Sequence, residues 1–190
     1  MYSKNGCCLD VPINIYRVGQ VSGDTENGVW NKSELAAMMI YAGAGQIHQM
    51  PNSGEDVNWI PVNICSGVLV DLALKSSFDF CRSSDDHVYH LLNPHSLSYE
   101  EYLQALRQAG FTFESVAPGE FLNRVLNSDD LSNPLIKLTS FLEESFRNYE
   151  NHKVAKFSLD KTIEKCPLLR NCPQIDSELI ERYASYWKIS

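Results

Sequence analysis

No Gly-x-Gly-x-x-Gly or Gly-x-x-Gly-x-x-Gly turn occurs in these 190 residues. Such a turn lets backbone amides at a helix N-terminus approach a dinucleotide pyrophosphate, so the chain is expected to hold no cofactor and to bind neither NADPH nor NADH by itself. Basic residues are also few. Sixteen Lys and Arg stand against twenty-four Asp and Glu, a formal charge of -8, with no basic block, which excludes a phosphate-backbone partner. No apolar run is long enough to span a bilayer. Asn14, Arg17 and Asp24 interrupt the early apolar stretch where a signal sequence would lie, so the expectation is no membrane and a cytoplasmic location. The six cysteines lack chelating spacing: Cys7 and Cys8 are adjacent, Cys65 and Cys81 are isolated, and Cys166 and Cys172 lie apart. Reduced, mostly buried thiols and no metal are expected.

What is present suits a packed domain. Hydrophobic content is 44% and aromatic content 11%, and a chain of this length can bury its own core. We expect a single domain over residues 1–190. The stretch around which the chain is organised is Pro12 to Asn31, PINIYRVGQVSGDTENGVWN. Ile13 to Val18 reads as a buried strand with at least one covered face. Gly19, Gly23 and Gly28 then allow a sharp turn. In an open α/β sheet, ligands meet the carboxyl ends of the strands, which here carry Gly19, Gln20, Val21, Ser22 and Asp24.

Down the chain, Asn31 with Glu34 predicts a capped helix with the body LAAMMIYA, ending at Gly43 and Gly45 and carrying Met38 and Met39 mostly into the core. Gly45 to Asp56 reads as a polar loop with His48 solvated. Trp59 and Pro61 open a short extended segment, and Asn63 predicts the cap of the helix ICSGVLVDLALK. Val88 to Leu92 reads as a second strand of the main sheet, delivering Asn93 and Pro94 beside Gly19. Ser98 with Glu101 is a capping box for a helix that stops at Gly110. A strand over Phe113 to Val116 follows, then helices started by Pro118 and by Asn133 with Pro134. The last helix runs from Ser177 to Lys188 after the cap Asp176, with Tyr183, Tyr186 and Trp187 assigned to packing.

VPINIYRVGQVSGD with GVWNKSE, WIPVN at Trp59 to Asn63, VYHLLNP at Val88 to Pro94 and NPLIKLTSFLEESF at Asn133 to Phe146 together carry a family likeness. The chain resembles the C-terminal, substrate-binding half of the thioester reductase domain of nonribosomal-peptide, polyketide and aminoadipate-reductase synthetases, in the extended short-chain dehydrogenase superfamily. The cofactor-binding half of that family has no counterpart here. The resemblance implies an α/β, truncated Rossmann-like fold, helix-rich, with a small residual parallel sheet. It also implies that the Met39 helix borders a substrate cleft and that Asn63 stands where the family has Asp. The family's Tyr-x-x-x-Lys pair is missing from its place before the Pro12 strand. Tyr2 and Lys4 are wrongly spaced for it, and Tyr149 with Lys153 is a chance match in the wrong place.

Two functions remain open on this reading. One is a cofactor-independent protein that binds a peptide or polyketide intermediate and promotes a non-redox step, cyclisation or isomerisation. The other is a non-catalytic binding module or part of an NADPH-dependent thioester reductase. The initiator Met favours a gene product, as the first reading requires. Position nominates Asp24 and Gln20 as catalytic residues, with Asp24 as base or acceptor and Gln20 as donor to a carbonyl. Trp30, Met39, Trp59 and Asn93 are nominated for substrate binding. Arg17 is expected to pair beneath the turn. Expected partners are a small-molecule natural-product intermediate and a carrier protein or synthetase. A homodimer through the Ile13 to Val18 edge is also expected, because unpaired strand groups invite a covering chain.

Overall fold

A computed structural model describes residues 13–75, 87–128, 133–149 and 156–189. Among these residues the fold is helix-rich, with three short parallel strand pairs. Strand β1 (Ile15–Val18) pairs with β5 (Val88–Leu91), Ile15 opposite Val88 and Val18 opposite Leu91. β2 (Val21–Ser22) pairs with β4 (Ile60–Pro61), and β3 (Gln49–Pro51) with β6 (Glu114–Val116). The parallel pairing of β1 with β5 matches the sequence expectation, and its register brings Gly19 against Leu91 through a 3.0 Å backbone hydrogen bond.

Three apolar clusters hold these elements. The largest joins Trp30, Ile40, Leu106, Ile180, Tyr183 and Trp187, and carries α3 (Tyr99–Gln108) and α7 (Ser177–Trp187). The second packs α2 (Val62–Lys75) and the 3-10 turn Pro167–Asn171 onto β5 through Cys65, Val68, Leu91 and Leu169. The third gathers Met38, Phe121, Leu135 and Leu142 from α1 (Leu35–Met38), α4 (Pro118–Leu126), the 3-10 turn Pro134–Leu138 and α5 (Thr139–Tyr149). α6 (Asp160–Lys165) backs β5, where Thr162 Oγ1 donates to the His90 carbonyl at 2.9 Å.

Several local expectations hold because their partners lie within one turn. Ser98 and Glu101 form the capping box, Asp176 Oδ1 accepts from Leu179 N, and Pro118 opens α4. Cys65, Cys166 and Cys172 are buried free thiols, and burial pushes Cys172 up to about 12. Cys7, Cys8, Cys81, Tyr2, Lys4 and Lys153 lie outside the described residues.

Other expectations are corrected. The Ile13 to Val18 segment is not buried: Ile13 is 64% and Ile15 48% exposed, because among the described residues β1 has a strand on one side only. Arg17 is exposed and has no polar partner among the described residues. The first helix starts at Leu35, not Asn31, because the Glu34 carboxylate accepts from Trp30 Nε1 at 3.1 Å instead of reaching back to Asn31. That helix does not stop at Gly43. It widens into a π-helix, Met39–Ile47, closed by His48 in the left-handed region at φ 52°. The expected loop from Gly45 therefore contains the end of this helix and β3. Asn63 lies inside α2, where its side chain holds Thr25. Tyr186 is exposed, unlike Tyr183 and Trp187.

Candidate functional site

The strand exits converge, as the parallel register requires. Beyond β1, Gln20 O accepts from Ile60 N at 3.0 Å. Beyond β5, Asn93 N donates to Asn58 O at 3.0 Å. The Trp30 and Trp59 rings meet edge-on at 5.6 Å, and Trp59 meets Tyr102 at 5.2 Å. Met39, at the start of the π-helix, is half-buried against both the first and third clusters. Trp30 and Asn93 thus each contact Trp59, Gln20 bonds the next residue, Ile60, and Met39 shares the Trp30 cluster.

Their polar atoms are already engaged. The Asp24 carboxylate accepts from Asn27 N and Val29 N, each at 2.7 Å, and from Glu26 N at 2.9 Å. The amide of Asn27 contributes most to holding its pKa below the ordinary carboxylate value, with those of Val29 and Glu26 adding to it and partial burial opposing. A carboxylate so held is a poor proton acceptor and a good turn-former. Gln20 Nε2 donates to the Val21 carbonyl at 2.8 Å. Asn93 is 3% exposed; its Nδ2 donates to Trp59 O and Pro173 O at 3.0 and 2.8 Å, and its Oδ1 accepts from His95 N at 2.9 Å.

Helix α7 clamps this turn from outside. Tyr183 Oη lies 3.0 Å from Gly23 O and 3.2 Å from Ser22 Oγ, and burial raises its pKa. Arg182 donates to Thr25 O, and Trp187 Nε1 to Trp30 O at 2.9 Å. Lys32 Nζ reaches Trp187 O at 3.2 Å and stands 4.2 Å above the Tyr41 ring. Gly28 takes φ 68°, and a Cβ there would strike the Arg182 carbonyl. At Gly23 a Cβ would lie 2.7 Å from the Tyr183 ring. Asp24 with Asn27 and Gly28 was a readable sign of a self-bonded turn. The clamping partners Asn63, Arg182 and Tyr183 lie 38 to 160 positions away and left no such sign.

Comparisons with known proteins now bear on this geometry. A family model described as male sterility protein, an NAD-binding family, matches residues 5–69. Among curated relatives, the non-canonical non-ribosomal peptide synthetase ascB of Acremonium egyptiacum is 30% identical over 177 residues, covering 90% of this chain and 15% of its own length. Clavatol synthase claF of Penicillium crustosum is 29% identical over 178 residues, covering 92% of this chain and 7% of its own length. Among solved structures, the terminal R domain of the myxalamid PKS-NRPS pathway superposes with a TM-score of 0.74 at 22% identity, over 94% of this chain and 44% of that one. In fold the chain is similar to that reductase domain. A thiolation-reductase di-domain from an archaeal non-ribosomal peptide synthetase gives a TM-score of 0.62 at 20% identity, over 94% of this chain and 36% of that one. The chain therefore spans less than half of each of these solved structures and at most 15% of these two curated relatives.

Proposed function

We propose that this chain is the substrate-side module of a thioester-reductase assembly. It forms one wall for a carrier-bound polyketide or peptidyl intermediate. The cofactor is supplied by a second half that completes the β1 edge, on the same or on another polypeptide. The observation that carries this reading is the open edge of β1, where Ile15, and Ile13 just before the strand, face solvent and the strand has one partner among the described residues. The engaged state of Asp24, Gln20 and Asn93 supports a wall rather than an independent catalyst. Trp30, Met39, Trp59 and Asn93 remain the substrate-side residues of this proposal. Calorimetry tests it: the chain alone should bind neither NADPH nor NADH, and micromolar binding of either would overturn the division of labour.

The same edge supports a homodimer as a second reading, because two copies can cover each other's β1. Light scattering would then give twice 21.5 kDa. A cofactor-free cyclase or isomerase is less well supported, since it needs a free acid or base and both Gln20 and Asp24 are bonded within the turn. Turnover of an intermediate by the chain alone, lost in Gln20→Ala, would restore it.

A further inference from the structure

Asp24 spans its turn with both carboxylate oxygens. Oδ1 accepts from Glu26 N and Asn27 N, Oδ2 accepts from Val29 N, and Thr25 N donates to Asn63 Oδ1. From Thr25 to Val29, the Gly28 amide is the one that makes no hydrogen bond among the described residues. A bonded amide must give up its partner before its nitrogen can react, and this one has none to give up. The residue before it is Asn27, which is exposed and whose side-chain amide is likewise unbonded among the described residues. Glycine also lacks the Cβ that hinders approach to a backbone nitrogen. Asn52 and Asn127 are exposed too, but each precedes a serine. Asn5 precedes a glycine and lies outside the described residues.

We propose that Asn27 is a modification site, at which its side-chain amide deamidates through a cyclic imide with Gly28 and the Asp24 turn is opened as a result. The Gly28 nitrogen attacks Asn27 Cγ. The N–Cγ bond forms, the Cγ–Nδ2 bond breaks, and Nδ2 leaves as ammonia with the proton that Gly28 N carried. Water then opens the five-membered imide. Attack at the side-chain carbonyl leaves an ordinary aspartyl residue, and attack at the backbone carbonyl leaves an isoaspartyl residue whose main chain runs through Cγ. The two Asp24 oxygens fix the separation of Asn27 N and Val29 N, each held at 2.7 Å. The isoaspartyl product inserts one more C–C bond between those two amides, roughly 1.5 Å of extra chain. Gly28 cannot bulge to absorb it towards α7, because its backbone lies so near Arg182 that even a Cβ would strike the Arg182 carbonyl. One of the Asp24 bonds must therefore be lost. Both products also put a carboxylate on the residue whose amide the Asp24 carboxylate holds, and like charges repel. The modification does not depend on the function proposed above, since it uses only the turn's own atoms and water.

The test is to age the folded chain in mildly alkaline water enriched in heavy oxygen and to map its peptides by mass. Asn27 should take up heavy oxygen at least tenfold faster than Asn52 and Asn127. Isoaspartyl at position 27, counted by methyl transfer from an isoaspartyl-specific carboxyl methyltransferase, should rise in step with a fall in the urea midpoint. Asn27→Gln keeps a side-chain amide but closes the larger ring far more slowly, so it should fold like the wild type and hold its midpoint on ageing. If Asn27 reacts in urea but stays intact in the folded chain, the turn protects it and the proposal is overturned. If position 27 is modified and the midpoint does not move, the opening of the turn is overturned. If aged Asn27→Gln loses as much midpoint as the aged wild type, the loss arises elsewhere and the proposal is overturned.

Discussion

The turn beneath α7 and the layer formed by β1, β5 and α2 treat their side chains in opposite ways. In the turn, Asp24, Asn63 and Tyr183 have partners, and Trp30 packs against three aromatic rings, those of Trp59, Tyr183 and Trp187. In the layer, Ile13, Ile15, Val70 and Leu74 lie open to water. The first region is finished by its own sequence. The second has apolar surface that its own described residues do not cover, and folded chains normally place such surface against another body. Stability should therefore depend on the turn, and association on the layer.

The largest effect that would sharpen this contrast is Tyr183→Ala, which empties the centre of the main cluster. It should cost about 4 kcal/mol, read as a fall in urea midpoint, and a cost near zero would break the contrast. Gly28→Ala should follow at about 2 kcal/mol, because the added Cβ meets the Arg182 backbone and the residue needs a positive φ. Asp24→Asn should cost about 1 kcal/mol through the lost acceptor for the turn amides. The sign of its pH dependence is fixed. A carboxylate with a lowered folded pKa stabilises above its unfolded value, about 4, and that contribution is lost as pH falls through the folded pKa. The wild type should thus lose stability on acidification relative to Asp24→Asn, measured by urea unfolding from pH 6 downward. The smallest effect is expected at Leu74→Glu, within about 0.5 kcal/mol for the isolated chain.

What the sequence made legible follows how far each interaction reaches. The Ser98–Glu101 box, the Asp176 cap and Pro118 depend on residues within one helical turn, and their identities are sufficient. The β1–β5 pairing was legible because both segments are short apolar runs with an exit turn. Asn63 read as a cap because its type suits one, yet its partner Thr25 lies 38 positions away. The π-helix was hidden for a similar reason. Gly43 and Gly45 ordinarily end a helix, and the wider turn is held by tertiary packing of Ile40, Ala44 and Ile47 that no local pattern encodes. At the candidate site, strand order indicated that Gln20 and Asn93 follow neighbouring strands. It could not predict that neighbouring amides and carbonyls engage Asp24, Gln20 and Asn93.

The most direct measurement is amide hydrogen exchange across Ile15 to Val18, alone and with the part of the myxalamid R domain that the chain leaves unmatched. The account predicts that the β1 amides facing away from β5 exchange rapidly in the isolated chain and slow at least tenfold in the complex. Slow exchange in an isolated 21.5 kDa monomer, unchanged by the added half, would contradict it.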